Sequence, residues 1–118
     1  MMDISVRRVY DPPQDSDGWR VLVDRLWPRG TSKAKARVDL WDRDVAPSKE
    51  LRGWFGHIPE RFPEFRERYV AELDANPAAA SLLEDLRLRD RITLVFAAKD
   101  VEHNNAVVLR DWLLARLG

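Results

Sequence analysis

Two clusters of residues carry most of the chemistry that this sequence can offer: Asp24, Arg25, Trp27 and Arg29, and then Lys99, His103 and Asn104. A carboxylate such as Asp24 can act as a base, and an amine such as Lys99 can move a proton or hold charge, so these two are the candidate catalytic residues. Arg25 and Arg29 present planar guanidinium groups suited to a carboxylate or phosphate. Trp27, His103 and Asn104 add a stacking surface and hydrogen-bonding groups, and with the two arginines they are the candidate substrate-binding residues. Asn104 falls where the last helix should begin, and exposed backbone N–H groups there favour negative charge. Recognition of a small anion is the simplest purpose that both clusters share. Each residue also has a plainer role: Asp24 as the partner of an arginine, Asn104 or Asn105 as a helix cap, Trp27 as a cover over a sheet edge, Lys99 as a surface cation.

Other chemistries lack their residues. His57 and His103 are the two histidines, and no carboxylates are spaced to join them around a metal, so no metal site is expected. There is no cysteine and no serine-centred motif, which leaves no activated covalent nucleophile. Neither a glycine-rich phosphate loop nor a dinucleotide fingerprint occurs, and no cofactor is expected.

The elements that must position the two clusters can be read from the apolar pattern. Val21, Leu22 and Val23 suit a strand covered on both faces, and Asp24 and Arg25 break that pattern. Pro28 cannot donate to a ladder and Gly30 frees φ, so pairing is expected to stop near Trp27. Ile92 to Ala97 forms a second apolar run, and it too ends in a polar cluster, Lys99 to Asn105. Ligands of open α/β sheets bind in the crevice beyond the carboxyl ends of the strands, which would bring the clusters together.

Around these two strands, Ile4 to Tyr10 reads as a first strand stopped by Asp11-Pro12-Pro13, and Gln14 to Gly18 as a polar turn. The first two strands are then either antiparallel neighbours or parallel with an irregular crossover. Thr31 to Arg37 is a basic connector with room for one or two helical turns, and Leu40 to Val45 a short strand stopped by Pro47. Ser48 should cap a helix over Lys49 to Phe55, with Gly56 at its C-terminal end. Leu51, Trp54 and Phe55 would be its buried face, placing Trp41 and Trp54 in the core. Pro63 opens a longer helix with Phe62, Phe65, Tyr69 and Leu73 on one face. Helices over Ala78 to Arg89 and Ala106 to Leu117 follow, with Leu82, Leu83 and Leu86 and then Leu109 and Leu113 facing inward. The expected architecture is a single α/β domain over residues 1–118, with a small, mostly parallel central sheet flanked by helices.

The chain has 20 basic and 20 acidic residues. That balance argues against a protein built to neutralise nucleic-acid phosphates. Lysine occurs only at 33, 35, 49 and 99, so nearly all the basic charge is arginine. Without an apolar run of membrane-spanning length, a signal-peptide core or any cysteine, a cytoplasmic protein with no membrane partner is expected. Oligomeric state is left open.

Val9-Tyr10-Asp11-Pro12 and the run Asp17-Gly18-Trp19-Arg20-Val21-Leu22-Val23-Asp24-Arg25-Leu26-Trp27-Pro28-Arg29-Gly30 resemble the YeaO-like branch of domain-of-unknown-function family 488. Trp41-Asp42, Pro47-Ser48, Tyr69, Glu72-Leu73, Ala98-Lys99 and Asn104 continue the resemblance along essentially the whole chain. It implies a small α/β domain without an assigned activity. That family commonly has Asn-His-Ala at the start of the last helix, where this chain has Asn104-Asn105-Ala106. An acid or base role for that His would pass to His103 or be lost, since Asn cannot transfer protons at neutral pH. Two functional readings stand. One is a binding protein or enzyme for a small anionic or nucleotide-like ligand. The alternative is a non-catalytic binding or regulatory module, with nucleic acid as one partner it could associate with.

Overall fold

The computed structural model describes residues 3–117. Met1, Met2 and Gly118, which the single-domain expectation over 1–118 includes, lie outside the described residues. Four strands, β1 (Asp3–Arg8), β2 (Trp19–Leu22), β3 (Leu40–Trp41) and β4 (Arg91–Phe96), form one parallel sheet in the order β1-β4-β2-β3. Five α-helices accompany them among the described residues: α1 (Lys33–Ala36), α2 (Lys49–Phe55), α3 (Phe62–Asp74), α4 (Pro77–Leu86) and α5 (Asn105–Leu117). The first two strands are therefore parallel but not neighbours. Both lie against β4, with Ile4 and Trp19 each opposite Ile92.

The central place of β4 follows from its composition. Ile92, Leu94, Val95 and Phe96 are all buried, as a strand paired on both edges and covered on both faces requires. Strand alternation then divides the core. Val21, Val23, Leu94 and Phe96 join the helices in the larger cluster, with Phe65, Tyr69, Leu82, Leu109 and Leu113. Leu22 and Val95 face the other way, toward Val9, Ala36, Val38, Trp27 and Trp41. Helical cover is thus unequal: most of it lies on one face, and the other is closed by the single turn of α1 and the loop before it.

At its far end that thinner face carries a buried ion pair. The Arg20 guanidinium donates to the Asp17 carboxylate at 2.6 Å and to the Ala36 carbonyl at 2.9 Å, while the Thr93 hydroxyl donates to the Asp17 carbonyl at 2.7 Å. Gly18 makes the close approach possible: its φ is +67°, and a Cβ there would stand 2.3 Å from the Arg91 carbonyl oxygen.

Three local expectations change. Regular pairing of β2 ends at Leu22 and its last ladder bond is Val23 N–H to Val95 O at 3.2 Å, well before Trp27. β3 is two residues long and gives way to a 3-10 helix over Arg43–Val45. Trp41 and Trp54 stand at the margin of the core, half-buried beneath the guanidinium groups of Arg43 and Arg68, at 4.3 and 4.5 Å from the ring centres. By contrast, α2 has the limits read from its caps: the Ser48 hydroxyl accepts from Leu51 N–H, and Gly56 takes the left-handed conformation. Among the described residues, no helix is long and apolar enough to cross a membrane.

Candidate functional site

Asp24 explains why β2 stops pairing. Where the next backbone bond to β4 would fall, its side chain takes over: Oδ2 accepts the Ala97 N–H at 2.8 Å, and Oδ1 accepts from the Asn105 amide at 3.1 Å. The Asp24 carbonyl, turned outward, accepts from the Trp41 indole at 2.9 Å. One residue thus joins the ends of β2 and β4 to the first turn of α5. Burial pushes its carboxyl above the ordinary carboxylate range. The Ala97 N–H, the Asn105 amide and, more weakly, the neighbouring His57 and Arg52 pull in the opposite direction.

Beyond these strand ends lies an open cavity of about 470 Å³, within the size range of small-molecule sites. Phe55, Phe65, Pro47, Ala46 and Trp27 supply apolar lining, and Asp24, Asn105, Ala97 and Ala98 come from the sheet edge and the helix start. The segment from Arg25 to Arg29 forms one side. It is tied down at several points: the Tyr10 hydroxyl donates to the Arg29 carbonyl at 2.8 Å, and the Trp27 indole donates to Thr31 O at 2.8 Å while packing edge-on against Trp41. The Arg8 guanidinium donates to the carbonyls of Ala97 and Ala98, fixing the chain as it leaves β4.

Asp24, Arg25, Trp27, Arg29 and Asn104 all line this cavity. Arg25 is half-exposed and paired with Asp44 at 3.2 Å, and the Arg29 side chain is exposed. Asn104 is buried and caps α5, accepting from Val107 N–H at 3.0 Å and donating to Asp100 O at 2.9 Å, so its plainer role is filled. Lys99 and His103 are not in the lining. Lys99 is exposed, and His103 sits 2.9 Å from the Asp100 carboxylate with its ring edge-on to Phe62. The Asp100 carboxyl is held below its usual range by the backbone N–H of Glu102 and then that of His103, which makes this group a stabiliser of the loop.

Two lining residues escape a reading of the sequence alone. Arg52 projects from α2 and His57 follows its cap, with φ +58°. Within the cavity lining, Arg52 stands out. Its Nε is buried and has no hydrogen-bond partner among the described residues. The nearby carboxylate of Asp24 is already engaged at both oxygens. A helix with clean caps and an apolar face gives no hint that its one intermediate arginine turns to a cavity. Among the described residues, no group of histidine and carboxylate side chains is arranged to hold a metal ion.

Known proteins share this sequence along nearly its whole length. The chain belongs to the family described as the inactive DUF488-N3 subclade, whose model matches residues 3–118. It is 45% identical over 112 residues to the uncharacterized protein YeaO of Escherichia coli K12, covering 95% of this chain and 97% of the relative. It is 48% identical over 113 residues to the uncharacterized protein Rv3073c of Mycobacterium tuberculosis H37Rv, covering 96% and 95%. No solved structure matches the chain.

Proposed function

We propose that this member of the inactive DUF488-N3 subclade is a non-catalytic binding protein for a small anionic, nucleotide-like ligand, seated in the cavity at the carboxyl ends of β2 and β4. The observation that carries this reading is the unpartnered Nε of Arg52 in the cavity lining. A buried donor without an acceptor costs about 1–3 kcal/mol, more when the group is charged. A carboxylate or phosphate oxygen that meets the guanidinium from the cavity would offset that cost with a charge-assisted bond. Phe55, Phe65 and Pro47 offer a planar group an apolar bed beside it.

The absence of turnover is supported by how the polar residues are employed. Both oxygens of Asp24 hold the fold together, Asn105 cannot transfer a proton, and Lys99 stands outside the lining. The description of the subclade as inactive points the same way.

Thermal shift followed by calorimetry, against nucleoside monophosphates, sugar phosphates and aromatic carboxylates, tests the reading. At least one phosphate or carboxylate should bind, and Arg52→Met should weaken it at least tenfold while leaving the ligand-free melting temperature unchanged or raised. Failure of all three classes to bind sinks the proposal, and so does an Arg52→Met protein that binds as well as the parent. Steady conversion of a bound ligand would overturn its non-catalytic half.

A further inference from the structure

The amide of Asn105 is fixed in one orientation. Its Nδ2 donates at 3.1 Å to the Val23 carbonyl and at 3.1 Å to Asp24 Oδ1. Both hydrogens are therefore used. Turning the amide over would set Oδ1 against the Val23 carbonyl, which can only accept, so this is the orientation the site dictates. What remains is Asn105 Oδ1, which has no donor among the described hydrogen bonds, in a residue that lines the cavity. Asn104 offers no such acceptor, because its Oδ1 already accepts the Val107 N–H.

The cavity lining therefore holds an oriented acceptor, an arginine whose Nε has no partner among the described residues, and aromatic rings within one volume. From these three we infer that the ligand's planar ring carries an exocyclic amino group, donated to Asn105 Oδ1, while its anionic group meets Arg52. This rests on the anion-binding reading above and narrows it to amino-bearing bases such as adenine or cytosine. A ring that carries hydrogen in place of the amine presents no donor to Oδ1 and covers it from water on that side. Sites built to bond an NH discriminate strongly against analogues lacking it.

The test uses the full chain and two matched pairs of probes: AMP with purine riboside monophosphate, and CMP with the analogue in which hydrogen replaces its amino group. Calorimetry should show the amino-bearing member of at least one pair binding about tenfold more tightly. The preference should collapse in Asn105→Leu, and the Asn105 side-chain amide signal in a nitrogen-labelled sample should shift with the amino-bearing probe and far less with its partner. This spectroscopic comparison on the parent protein stands if the variant does not fold. Arg52-dependent binding of both members of each pair with equal affinity overturns the inference and leaves the anion-binding reading intact. A preference that survives in Asn105→Leu overturns the assignment to this residue. If no probe binds, and sugar phosphates and aromatic carboxylates also fail, both readings fall.

Discussion

Asp42 holds a charge that its surroundings oppose. It precedes the 3-10 helix over Arg43–Val45 without capping it, and burial, with the neighbouring charges of Asp44 and Asp85, pushes its carboxyl up to about 6. An ordinary unfolded aspartate titrates near 3.9. Because the folded value is the higher one, the folded chain binds this proton more readily, and stability falls as pH rises through the window from about 4 to about 6. Replacing Asp42→Asn should flatten that window. Thermal melts of the two proteins should converge at pH 4 and separate at pH 7, the variant melting a few degrees higher; parallel curves would show that Asp42 is not the cause. The same scale shows what could be read in advance. Asp24 was visible as a charge at the end of an apolar run, but its double acceptor role was not, since Ala97 and Asn105 are remote in sequence. Arg52 was hidden among arginines, because nothing local tells a solvated guanidinium from one turned to a cavity.

At the level of elements, one polar pair of side chains ties the start of α2 to the end of α3. Ser48 accepts from Leu51 N–H, and its own N–H and hydroxyl donate to the Glu72 carboxylate at 2.9 and 2.6 Å. The cap of one helix is thus the anchor of the next. Ser48→Ala should cost about 1–2 kcal/mol in urea unfolding, toward the upper end of the range for lost caps because Glu72 also loses a partner. A loss of a few tenths would mean the joint is held by Phe55 against Phe65, stacked at 4.3 Å, and not by the serine. The caps of α2 were legible because capping is local chemistry. The end of β2 and the shortness of β3 were not, because in both places side chains replace the backbone: Asp24 takes the Ala97 N–H, and the Trp41 indole takes the Asp24 carbonyl.

Across the whole molecule, a parallel α/β sheet was legible from two apolar runs ending in charge, whereas the strand order was not. β1 and β2 reveal nothing about each other because what joins them is β4, which stands between them and comes late in the chain. This order makes a demand on synthesis. As the chain leaves the ribosome, β1 and β2 emerge early and have no shared partner until residues 91–96 follow, so their edges wait through the production of four helices. A fragment of residues 1–90 should accordingly show no cooperative melt, and a sharp transition in that fragment would mean the sheet has another way to begin. The central strand serves as a late keystone: the newborn protein must pass a vulnerable interval with unpaired strand edges, when a chaperone would find most to hold.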